Sequence, residues 1–94
     1  MPIEIVYSDE AVEDLKDLRA FDRSAILDQI EQFLAVNPTL ESKAKVKRLK
    51  EPAPTQYRLR VGEYRVFYDV EEQTVSVFRV LSKEASLVYL RGET

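Results

Sequence analysis

With 94 residues the chain has room for one compact domain, and a chain of this size buries only about 60–65% of its unfolded surface, so a shallow groove is expected instead of a deep pocket. The absence of cysteine excludes disulfides, thiolate catalysis and thiolate metal sites, and the absence of histidine removes the commonest general base and the commonest metal ligand. Net charge is −3, but residues 1–42 carry ten acids against three bases, whereas residues 43–94 carry seven acids against eleven bases; a polymer responds to that local field more than to the total.

The first residues, Met1-Pro2-Ile3-Glu4-Ile5, have neither the basic n-region nor the apolar h-region of a signal peptide. No apolar run approaches the roughly 20 residues of a membrane span, so a soluble, cytoplasmic protein is the expectation. Ile3, Ile5 and Tyr7 alternate with Glu4 and Val6, which predicts a strand over 2–7. Ser8 is placed to N-cap a helix that carries Asp9 and Glu10 in its first turn and Ala11, Val12, Leu15 and Leu18 at helical spacing. Asp22 is placed to cap a second helix, with Ile26, Leu27, Ile30, Phe33 and Leu34 on one stripe, and Asn37-Pro38 ends it. The pair reads as a hairpin, apolar inside and acidic outside. Residues 39–56 read as a connection anchored by Leu40, Val46 and Leu49, with Pro52 and Pro54 keeping its end extended. Strands are predicted over 56–61, 64–70 and 74–81, with a turn at Glu71-Glu72-Gln73-Thr74. In the last strand, strict alternation places Val75, Val77, Arg79 and Leu81 on one face and Ser76, Phe78 and Val80 on the other. The tail from Ser82 reads as a turn or short helical piece. The order β-α-α-β-β-β predicts a single α+β domain over 1–94, a small, mostly antiparallel sheet with an N-terminal helix hairpin packed on one face.

Chemistry concentrates in the block Tyr57–Tyr68. Alternation puts Tyr57, Leu59 and Val61 on one face with Arg58 and Arg60 opposite, and after the turn Tyr64, Val66 and Tyr68 share a face while Arg65 points the other way with Phe67. Three guanidinium groups on one face suit phosphate, and so RNA or DNA; the same arrangement also fits a solvated sheet face. Lys43, Lys45, Lys47, Arg48 and Lys50 precede the block and Arg79 follows it, extending the basic surface expected to bind nucleic acid. There is no glycine-rich phosphate loop and no hydrolytic triad. Asp69, Glu71 and Glu72 read as a solvated turn ahead of a cation site, so neither metal nor cofactor is expected. What remains is Arg58, Arg60 and Arg65 with Lys83 and Tyr89, a set suited to metal-free attack of a ribose 2′-OH on its neighbouring phosphate. Clustered positive charge is expected to favour the tyrosinate form of Tyr89 and so make it a modest base or acid, in company with Lys83.

In its order and spacing the chain resembles the RelE/ParE superfamily of toxins from type II toxin–antitoxin pairs. The resemblance rests on the short first strand, the helix hairpin, Lys47-Arg48-Leu49-Lys50, Tyr57-Arg58-Leu59-Arg60, Gly62-Glu63-Tyr64-Arg65-Val66-Phe67-Tyr68, the strand Val75–Val80 and Leu87-Val88-Tyr89. Members of the RelE type are ribosome-dependent mRNA endonucleases that enter the A site and promote 2′-OH attack without a metal. The resemblance implies that Arg58 and Arg60 contact the scissile region, that Arg65 stabilises the phosphate and that Tyr89 orients a base and assists proton transfer. It also implies that Lys83, six residues before Tyr89, supplies a further basic group. A cognate antitoxin with a segment that folds on binding is implied as partner, with the ribosome and its mRNA as target. Three departures point instead to a ParE-like poison of DNA gyrase without nuclease activity, or to a catalytically silent member: a pI near 5.0, no histidine near the C-terminus, and a base-poor Ser82-Lys83-Glu84-Ala85-Ser86.

Overall fold

Ser8 divides the first strand from the first helix, and its hydroxyl ties the start of that helix to Phe78, far along the chain. The protein is described by a computed structural model over residues 2–92; Met1, Glu93 and Thr94 of the expected 1–94 domain lie outside the described residues. Strand β1 (Glu4–Tyr7) is followed by helix α1 (Asp9–Lys16). Ser8 Oγ accepts the Ala11 amide at 3.0 Å, as the predicted N-cap, and donates to the Phe78 carbonyl at 2.8 Å. Asp9 and Glu10 occupy the first turn, where the helix dipole favours negative charge.

Helix α2 (Ala20–Gln29) begins earlier than the sequence suggested. Its N-cap residue is Arg19, which makes no side-chain cap bond, so the expected capping by Asp22 is corrected. Asp22 lies inside the first turn, and its carboxylate is taken up by the Tyr64 hydroxyl at 3.1 Å and by Arg19 at 3.5 Å. The helix runs on into a π-helical turn, Ile30–Leu34, and its stripe of Ile26, Ile30 and Leu34 is buried.

Four more strands complete the sheet: β2 (Val46–Arg48), β3 (Tyr57–Val61), β4 (Tyr64–Glu71) and β5 (Thr74–Ser82). Their spatial order is β1-β5-β4-β3-β2, with β1 parallel to β5 and the other pairs antiparallel. Residues 46–48, expected as part of a connection, form β2, a three-residue edge strand whose Val46 enters the core while Lys47 and Arg48 stay exposed. Before β3 the chain bends, with a cis peptide at Glu51-Pro52, and is not the extended run that its prolines suggested. The β3–β4 turn is made by Gly62 at φ 57°, a left-handed conformation that costs glycine little. Ser82 caps the last helix, α3 (Lys83–Leu90), by accepting the Ala85 amide at 3.1 Å.

One face of the sheet forms the core. Ala11, Leu15, Ile26, Ile30 and Leu34 from the helices meet Val46, Tyr57, Leu59, Val66, Tyr68, Val75, Val77 and Val80. Tyr57 and Tyr68 stack at 5.5 Å, and the Tyr68 hydroxyl donates to the Pro38 carbonyl at 2.6 Å. Among the described residues no helix is long and apolar enough to cross a membrane.

The simple alternation predicted for β5 fails at one residue. Tyr68 pairs with Val77, but Phe67 pairs with Arg79, so Phe78 is an extra residue in a β-bulge. Beyond it every side chain changes face: Val80 joins Val75 and Val77 in the core, while Arg79 and Leu81 turn to the opposite, open face.

Candidate functional site

The open face is organised in rows across the strands. One row runs Lys47, Arg58, Phe67, Arg79, each the register partner of the next; the adjacent row runs Arg60, Arg65, Leu81. Helix α3 brings Tyr89 to this face, its ring meeting Phe67 edge-on with centroids 4.9 Å apart. At the turn end of the face, the Lys83 amide donates to the Glu63 carbonyl at 2.8 Å, which sets the head of α3 beside the β3–β4 turn.

Arg65 is 9% exposed, and its Nη1 donates to the carbonyls of Gly62 at 3.0 Å and Tyr64 at 2.9 Å. Among the described residues its Nε and Nη2 make no hydrogen bond. Arg58 is half-buried and Arg60 exposed, and among the described residues neither has a carboxylate partner. Burial, then Arg65, then Arg60 push the Arg58 guanidinium below its ordinary pKa; burial and Arg60 do the same to Arg65. Both remain cationic, since arginine does not deprotonate at working pH. Three like charges held together repel one another, and an incoming phosphate relieves that repulsion. Arg58 also lines a groove of about 530 Å³ with Glu41, Ser42, Lys43, Val46 and Lys47, which carries the cationic surface past the edge of the sheet.

Other residues expected in the basic surface stand elsewhere. Lys45 reaches the helix side, its Nζ donating to Gln29 Oε1 at 3.1 Å and lying 5.8 Å from the Phe33 ring centre. Arg48 stands 5.1 Å from the Tyr57 ring centre and donates to the Tyr57 hydroxyl at 3.0 Å, extending the tyrosine stack of the core face. Lys50 is exposed in the segment after β2. Arg79 is on the open face but engaged: Nε and Nη2 grip the two oxygens of Asp14 at 2.8 and 3.1 Å.

The expected acidification of Tyr89 is corrected. Burial raises its pKa most, and the lowering by Arg79 is outweighed, with Asp69, Asp14 and Glu10 raising it further. At neutral pH it is a protonated phenol, fit to donate a hydrogen bond or to stack, and not a base. Two contributors were missed at the sequence level. Phe67 was placed on this face but not as the seat of Tyr89, and Asp14 was read only as helix-surface acid. Nothing in the sequence ties Asp14 to Arg79, 65 residues away.

The sequence matches the family model described as ParE toxin of type II toxin–antitoxin system, parDE, over residues 5–86. No protein of curated function matches it. Among solved structures, the archaeal RelE–RelB complex from Pyrococcus horikoshii OT3 is similar at 22% identity, over 88% of this chain and 97% of that one, with a TM-score of 0.71. The RelB–RelE antitoxin–toxin complex from Methanococcus jannaschii is similar at 25% identity, over 89% and 96%, with a TM-score of 0.64. A free E. coli RelE toxin carrying two arginine-to-alanine substitutions is similar at 25% identity, over 95% and 92%, with a TM-score of 0.71.

Proposed function

The chain belongs to the ParE toxin family of type II toxin–antitoxin systems, and from that premise we propose that it arrests translation in the cytoplasm by cutting mRNA in the ribosomal A site. The observation that carries this reading is the cluster of Arg58, Arg60 and Arg65, three guanidinium groups on one face without a carboxylate partner among the described residues. The similarity to RelE toxins over nearly the whole chain supports it. In the reaction a ribose 2′-oxygen bonds to the adjacent phosphorus, the bond from phosphorus to the 5′-oxygen breaks, and a 2′,3′-cyclic phosphate and a 5′-hydroxyl result. The 2′-hydroxyl proton passes to water and the leaving 5′-oxygen takes one up. Negative charge gathers on the phosphate oxygens, where fixed guanidiniums stabilise it. Tyr89, held as a phenol, is a donor toward the leaving oxygen or a platform for a base. Lys83, exposed at the head of α3, adds positive charge near the β3–β4 turn. The groove lined by Lys43 and Lys47 receives a neighbouring phosphate. A cognate antitoxin is the partner, as RelB is for the two archaeal RelE toxins.

A second reading has its own observation. The matching family is named for ParE, and the chain has no histidine and carries net charge −3, which suits a protein target such as DNA gyrase. Purified protein added to a cell-free translation reaction separates the two. The first reading expects translation to stop and message to be cut only when ribosomes are present. Intact message in an arrested reaction would overturn it, and gyrase-dependent DNA cleavage with translation spared would establish the second.

A further inference from the structure

Strand β1 ends at Tyr7, but its neighbour β5 runs on to Ser82, so among the described residues the outer edge of β5 beyond Val77 has no strand partner. Helix α1 and its cap fill the gap. Ser8 N donates to Val77 O at 2.9 Å, Ser8 Oγ donates to Phe78 O at 2.8 Å, and Asp14 Oδ2 accepts the Val80 amide at 2.9 Å. The same carboxylate takes Arg79 in a two-pronged ion pair that is only partly exposed. The bulge at Phe78 is what turns Arg79 toward it. The Arg79 guanidinium carbon lies 5.8 Å from the Tyr89 ring centre, and Tyr89 in turn rests on Phe67. A continuous chain of contacts therefore runs from α1, round the sheet edge, to α3.

We propose that Asp14 is a positioning residue of the open face: by clamping Arg79 it withholds that guanidinium from phosphate and fixes the place of Tyr89. The inference rests on the RNA-cleaving reading above. It assigns opposite duties to the arginines of this face, with Arg58, Arg60 and Arg65 left to the substrate and Arg79 serving the tyrosine. Release of Arg79 adds one cation to the phosphate path while Tyr89 loses its support, so RNA binding tightens as cleavage slows. A residue that served stability alone would weaken both.

The test uses Asp14→Asn, which keeps one oxygen for the Val80 amide and removes the charge that holds Arg79. Binding is measured with a single-stranded RNA made uncleavable by a 2′-deoxy sugar at the scissile position. The salt dependence of log affinity should steepen by about 0.7 for one added phosphate contact. Backbone amides of α3 should exchange hydrogen faster, and ribosome-dependent kcat should fall by about tenfold to a hundredfold while KM falls. Arg79→Ala should loosen α3 in the same way without steepening the salt slope, and the double variant should match Arg79→Ala. Glu10→Gln, which removes a nearby charge that does not touch Arg79, should leave the slope as in the unmodified protein. Unchanged α3 exchange in both Asp14→Asn and Arg79→Ala would overturn the proposal, as would an unchanged kcat in Asp14→Asn. Exchange needs no RNA, so it decides the clamp even if the unmodified protein proves unable to bind or cut message, an outcome that would sink the RNA-cleaving reading instead.

Discussion

On the helix-covered face of the sheet, Leu59, Val66 and Tyr68 are wholly buried; one residue along the same strands, on the opposite face, stand Arg58, Arg60 and Arg65. The first set belongs to one core cluster with the helices and the neighbouring strands, and each of its large apolar side chains contributes about 1.5–3 kcal/mol of burial. The second set gains little from folding and carries mutual repulsion. Arg65 alone has structural work, holding the carbonyls of the β3–β4 turn. The contrast shows how a chain of this size keeps an uncomfortable cluster of like charge: one face supplies most of the stability, and Arg58 and Arg60 on the other are free to be arranged for a ligand.

Four experiments probe that contrast. The largest effect is expected at Tyr68→Ala, which empties the centre of the core and breaks the bond to Pro38; stability should fall by about 3–5 kcal/mol in denaturant titration. Arg58→Ala should do the reverse. Its stability should stay within about 0.5 kcal/mol of the parent, while ribosome-dependent cleavage drops by about a hundredfold or more. The alkaline limb of stability should come next. Burial, then Tyr57, hold the Tyr68 hydroxyl far above its ordinary value of 10.0, and Tyr7, Tyr64 and Tyr89 are also raised. The unfolded chain therefore loses these protons first as pH rises. The stability they contribute is fully present below about pH 10 and is lost progressively above it. Unfolding between pH 8 and 11 should show that decline, flattened in Tyr68→Phe more than in Tyr89→Phe. Gly62→Ala is the smallest. A Cβ there meets nothing within 4 Å, so only the left-handed φ of 57° penalises it, at about 1 kcal/mol by thermal melting.

Much of this contrast is legible in the sequence. β3 and β4 were read to within a residue at each end, because two alternating runs flank Gly62 and the arginines fall in the polar phase of the pattern. The Ser8 cap carried an equally clear local signal. Strand β2 did not, since one valine in a basic run has no periodicity to detect. The bulge was hidden for a different reason: Val75–Leu81 alternates so regularly that a period of two leaves no gap for an extra residue, and only pairing with β4 exposes Phe78. That alternation puts Arg79 on the same face as Val75 and Val77, whereas the bulge turns it to the opposite one. The basic run misled in the opposite sense, because Lys45 and Arg48 are drawn to Gln29 and Tyr57 by contacts that depend on how the helices pack. The state of Tyr89 was misjudged because burial against Phe67, invisible in the chain, outweighs the nearby positive charge.

Arg58, on the open face, is expected to carry the activity without carrying the fold. The most direct test is Arg58→Ala, with melting temperature and ribosome-dependent message cleavage measured on the same preparation. An unchanged melting temperature with cleavage reduced about a hundredfold or more is the expected result. Unimpaired cleavage by a folded variant would contradict it.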